Sequence, residues 1–151
     1  MDAISLAERK LVTVGPKEEL TAAARLMREA HVGMLVVVQP ALVPDGVSPV
    51  GVLTDRDIVT TVIAREIDPR SMRVEDVMTP KPVTVLAQTP VDQVLEAMRA
   101  AGVRRVPVVD NVGRLVGVLS LDDVLTHLAA QLGSVAGSVR TELRAERAAR
   151  T

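Results

Sequence analysis

Phenylalanine, tyrosine, tryptophan and cysteine are all missing from this 151-residue chain. Without cysteine there is no disulfide, no thiolate nucleophile and no cysteine-ligated metal, and the redox compartment goes unread. Without aromatic rings there is no platform on which single-stranded nucleic acid stacks. Hydrophobic residues still make up 48% of the chain, so a core has to be built from Val, Leu, Ile, Ala and Met. A formal net charge of −1 removes the bulk electrostatics that nucleic-acid binding uses, which leaves room only for a local anion site. No run of roughly 18 apolar residues occurs, and the start, MDAISLAERK, lacks the basic and apolar stretches of an export signal. Neither nucleic acid nor membrane insertion is expected, and a cytoplasmic location is the default. There is no nucleophile with an adjacent base, no metal cluster and no Walker-type loop, so an enzyme is not expected. No metal or catalytic role is expected of His31 or His127.

What the chain does contain is itself twice. Leu11–Val14 reads as a strand, Glu18–Ala30 as an amphipathic helix with apolar residues recurring at three and four, and Met34–Val38 as a buried strand of β-branched residues. Gln39–Pro49, with three prolines and Asp45-Gly46, reads as a loop. Val50–Leu53 resumes as strand and Asp55–Arg65 as helix. Asp68–Ser71 is a connection and Val74–Met78 a short turn. The order then begins again: strand Val83–Val85, helix Thr89–Ala101, strand Arg105–Val109, turn Asn111–Gly113, strand Leu115–Leu119, and helix from Leu121. Val12 to Val83, Met27 to Met98 and Val32 to Val103 are each 71 positions apart. Gly51 to Gly117 and Asp57 to Asp123 are 66 apart. The difference of five is the excess of the eleven-residue loop Gln39–Pro49 over the six residues Asp110–Leu115. One insertion therefore aligns the whole chain with itself, as two copies of one unit.

Neither copy buries both faces of its small sheet alone, so the expected fold is α/β, two β-α-β-β-α repeats packed sheet to sheet about a pseudo-twofold axis. The expected divisions are a lead-in segment 1–10, a first repeat 11–70, a second repeat 71–132 and a helical tail 133–151. Over the last stretch, 131–151, Leu132, Val135, Val139 and Leu143 stand near helical spacing. Gly133 and Gly137 weaken helix there, and a frayed charged end beyond about Leu143 is the alternative.

Each copy ends in the same corner, Gly51-Val52-Leu53-Thr54-Asp55-Arg56-Asp57 in the first and Gly117-Val118-Leu119-Ser120-Leu121-Asp122-Asp123 in the second. A strand running into a helix exposes unpaired backbone N–H groups and a partial positive charge, where a phosphate can be held. The hydroxyl and the carboxylate three residues on could meet a phosphate and ribose hydroxyls. The same spacing is also that of a capping box, in which hydroxyl and acid merely satisfy two backbone N–H groups.

Together with Val103-Arg104-Arg105-Val106-Pro107-Val108-Val109-Asp110 and Asp76-Val77-Met78-Thr79-Pro80, these corners make the chain, from about Lys10 to Leu132, resemble a tandem pair of cystathionine-β-synthase (CBS) domains, a Bateman module. The resemblance implies an adenosine-containing ligand: AMP, ADP or ATP in an energy-sensing role, or NAD or S-adenosylmethionine. It implies no obligatory cofactor. Asp57 and Asp123 would accept ribose hydroxyls, and Thr54 and Ser120 would donate to phosphate. Adenine would lie against Met34, Val36, Arg105, Val106 and Pro107, with Thr13 and Thr84 on the first strands of the copies. Arg104 and Arg105 would meet phosphates, and His31 stands where a basic group would brush them. The first copy has Gly33 and Met34 in place of the arginines, so the expected better anion site is the Asp57 cleft, with Arg56 in it and Arg104 and Arg105 facing it. A homodimer and a separate partner protein that reads the ligand complete the expectation. The competing reading is a structural or interaction module in which the corners only cap helices.

Overall fold

The computed structural model describes residues 1–150. Its order is α1 (Ala3–Leu6), β1 (Thr13–Val14), α2 (Leu20–Ala30), β2 (Met34–Pro40), β3 (Val47–Thr54), α3 (Asp55–Asp57), α4 (Val74–Val77), β4 (Thr79–Pro80), β5 (Val85–Leu86), α5 (Val91–Ala101), β6 (Arg105–Val109), β7 (Leu115–Ser120) and α6 (Leu121–Ala149). The strands form two sheets, β1-β2-β3-β4 and β5-β6-β7. In each, the first strand runs parallel to the second and the second pairs antiparallel with the third. The sheets approach along β3 and β7.

The two cores keep the sequence offset. Val14, Ala23, Met27, Leu35 and Val37 of the first are matched 71 positions on by Val85, Val94, Met98, Val106 and Val108 of the second, and Leu53 is matched by Leu119 at 66. No polar or charged residue is buried among the described residues.

Each copy is completed by the segment that precedes the other. Ala3 of α1 is fully buried in the second core, while Val74 of α4, 71 positions later, is fully buried in the first. The backbone bonds correspond as well. Ala3 N donates to Thr89 O (2.8 Å), and Val74 N to Glu18 O (3.0 Å). Glu8 exchanges two bonds with Val118, as Thr79 pairs with Val52 through β4. The glycines that open the corners admit these segments. A Cβ on Gly117 would stand 2.9 Å from Ala7 Cβ, and one on Gly51 would stand 3.0 Å from Thr79 O. Residues 1–10 thus pack with the second repeat, and 74–80 with the first.

Several local expectations are corrected. The expected loop 39–49 is narrower, because β2 and β3 extend into it from both ends and form a hairpin closed by residues 41–46, with Pro49 beside a bulge at Val37/Val38; a proline fits where the ladder is interrupted. The helix from Asp55 turns π-helical over Ile58–Ile63, six β-branched residues in succession that disfavour a regular α-turn. The strand expected at 83–85 is Val85–Leu86, which leaves Thr84 outside it. No break falls near residue 133, since α6 is continuous to Ala149. Thr151 lies outside the described residues.

Candidate functional site

Both corners fold as complete capping boxes. Thr54 N donates to Asp57 Oδ2 (2.9 Å) and Asp57 N to Thr54 Oγ1 (3.1 Å). Ser120 N donates to Asp123 Oδ2 (2.9 Å) and Asp123 N to Ser120 Oγ (3.1 Å). The Ser120 hydroxyl also donates to Asp123 Oδ2 (2.5 Å), so its proton points to the carboxylate and not outward. In both boxes every bond that the carboxylate accepts falls on Oδ2. Oδ1 of each aspartate has no partner among the described residues, and that oxygen is what a further donor could reach.

A cavity of about 270 Å³ borders the second corner. Ser120 and Asp123 line it together with Arg105 and Val118, and the first copy closes it with Leu11, Val12, His31, Val32, Gly33, Met34 and Val36. Lys10 and Glu8 complete the rim. The wall is therefore apolar strand surface from one repeat, and the polar corner comes from the other. The charged groups balance, Lys10 and Arg105 against Glu8 and Asp123, and Glu8 also accepts from Lys10 N (2.7 Å).

Of the residues expected at a site, Met34, Val36, His31, Arg105, Ser120 and Asp123 meet in this cavity. Thr54, Arg56 and Asp57 stand at the other corner, away from it. The register puts Arg105 opposite Ser120 and Met34 opposite Thr54, so each strand start lies beside its own copy's corner. Arg104 does not reach across to the first corner. Its carbonyl accepts from Leu121 N (2.8 Å), and its guanidinium pairs with Asp122 (3.3 Å) in the same copy. Val106 is fully buried in the second core and Pro107 is buried beside it. Thr13 lies in β1 opposite Val36, and Thr84 precedes β5. Sequence reasoning missed Lys10 and Glu8. The signal for Lys10 was present, because Lys81 is its equivalent 71 positions on.

The model of the CBS domain matches this chain twice, over residues 3–64 and 74–130. The chain belongs to the CBS domain family. Among curated relatives of this CBS-pair chain, an uncharacterized protein of Methanopyrus kandleri is 31% identical over 80% of the chain, which spans 59% of that relative's length. YlbB of Bacillus subtilis, also uncharacterized, is 39% identical over 80% of the chain and 76% of its own length. Hypoxic response protein 1 of Mycobacterium tuberculosis is 36% identical over 76% of each. The crystal structure of Hypoxic Response Protein I, which holds two coordinated zinc ions, superposes with a TM-score of 0.70 at 33% identity, covering 84% of this chain and 98% of that one. The described residues here contain no group of three or more His, Cys, Asp or Glu placed to hold a metal ion. The CBS domain pair of protein MJ0100, solved with 5′-methylthioadenosine and S-adenosyl-L-methionine, superposes with a TM-score of 0.73 at 23% identity over 87% of this chain and 98% of that one, a likeness of fold. No helix among the described residues is long and apolar enough to cross a membrane.

Proposed function

We propose that this CBS pair is a regulatory module, not an enzyme, and that it binds an adenosine-containing ligand in the cavity between β2 and the Ser120–Asp123 corner. The observation that carries this reading is the pairing of an apolar wall (Leu11, Val12, Val32, Met34, Val36) with an Asp123 carboxylate whose Oδ1 is unspent. A flat apolar base fits the wall, and a ribose hydroxyl is the donor that Oδ1 lacks. A volume near 270 Å³ stands just under the usual range of small-molecule sites, roughly 300–1,000 Å³. It suits a nucleoside body whose phosphates or other charged groups extend past the rim toward Lys10, His31 and Arg105. A CBS pair of the same fold solved with two adenosine-containing ligands supports the chemistry. Ligand occupancy would then bias the packing of the two halves and be read by another protein.

The interaction-module reading keeps one observation in its favour, since both corners are satisfied as capping boxes without any ligand. Calorimetric titration of AMP, ADP, ATP, NAD and S-adenosylmethionine against the wild type, Asp57→Ala and Asp123→Ala separates the two. Binding that survives in Asp57→Ala and disappears in Asp123→Ala is expected. Each variant loses half a capping box, about 1 kcal/mol, so retention of fold is checked by circular dichroism. A ligand at a hundred times its dissociation constant adds about 2.7 kcal/mol to wild-type stability. Silence across the panel with folded protein defeats the sensor reading.

A further inference from the structure

We infer that the C-terminal part of α6 is one arm of an antiparallel coiled coil formed with a second copy of this chain. The inference rests on the fold alone and not on the ligand reading. Val124 anchors α6 to the second core, but residues 129–150 are all exposed, so the helix leaves the body and continues as an unsupported rod. Along it Leu125, Leu128, Leu132, Val135, Val139 and Leu143 recur at intervals of three and four, which is the seam of a coiled coil. Leu132 is 70% exposed, Val135 62%, and Val139 and Leu143 50% each. A rod carrying Gly133 and Gly137 gains little from propensity, and in proteins helices draw most of their stability from a packed apolar face. This one has no such packing within the chain.

The charges say what covers it. Leu121–Val139 contains Asp122 and Asp123 and no Lys or Arg, a charge of −2. Arg140–Arg150 contains four arginines against Glu142 and Glu146, a charge of +2. The helix is therefore complementary to itself only head to tail, where the helix dipoles also oppose. A parallel pair would set the four arginines against four more. Centring the antiparallel pair between Val135 and Ala136 puts Leu128 against Leu143 of the second copy and Leu132 against Val139. The same register sets Arg150 opposite Leu121 of the second copy, one residue from Asp122.

Light scattering on the full chain tests the seam with the double variant Leu132→Glu/Val139→Glu. Both positions are exposed, so the body folds unchanged, as its melting temperature verifies. The expected result is half the wild-type mass; a mass equal to that of the wild type overturns the proposal. The absence of native cysteine allows a second measurement of direction. Val135→Cys, next to the centre, oxidises to a covalent dimer, and Leu128→Cys, far from its own copy in this register, does not. A covalent Leu128→Cys dimer as abundant as the Val135→Cys dimer overturns the antiparallel arrangement.

Discussion

His31 closes α2 with φ 54°, in the left-handed region, at the place where the second copy has Gly102 with φ 66°. A side chain there costs roughly 1 kcal/mol, and glycine is the ordinary residue for such a cap. The side chain that carries this cost stands on the rim of the cavity. His31→Gly is expected to raise the melting temperature while weakening adenosine-ligand binding in a calorimetric titration; unchanged affinity would deny the side chain a role in the cavity. Asp110 acts differently, in a turn. Partial burial pulls its pKa up, but N–H groups of Arg114 and Val112 and the Arg114 guanidinium (2.7 Å) outweigh that and hold the carboxyl below its ordinary value. The folded carboxyl keeps its charge to lower pH than the unfolded one, so this contribution is whole above about pH 4 and fades as the pH falls through the lower folded value. Thermal melts of wild type and Asp110→Ala should differ by a few degrees at pH 7, and the gap should close below about pH 4.

Elements explain where a reading of residues succeeds and where it stops. The helices α2 and α5 and the strand β6 follow from local periodicity, because each turns one apolar face to a core of its own copy. Segment α1 does not, since Ile4 and Leu6 give too little pattern to name a partner more than 80 residues away. What the repeat does reveal is the spacing of close approaches at Gly51 and Gly117. Gly117→Val forces a side chain into Ala7 and Glu8, where the nearest atoms are a methyl and a backbone carbonyl and not the end of a flexible chain. It should cost about 1–3 kcal/mol, as overpacking does. Hydrogen exchange should rise in α1 and β7 and stay unchanged in β2 and β3. The length of α6 was hidden for a related reason. Gly133 and Gly137 argue locally against helix, whereas the backbone runs on through them, with Ser134, Ser138 and Thr141 hydroxyls each donating to a carbonyl one turn back.

For the molecule entire, the pseudo-twofold pairing and both corners were readable because one insertion leaves every other offset intact. Which corner borders the cavity was not, since that depends on how the two sheets are rotated against each other and on side chains such as Arg104 choosing a neighbour in their own copy. The exchange of lead-in segments has a consequence for what counts as a unit. A chain severed near Pro69–Ser71 would leave each piece holding the helix that fills the other's core, so neither repeat is whole by itself. The connection between them then acts as a tether: it supplies local concentration for two parts that already interlock, and the covalent order of the repeats matters less than having both present.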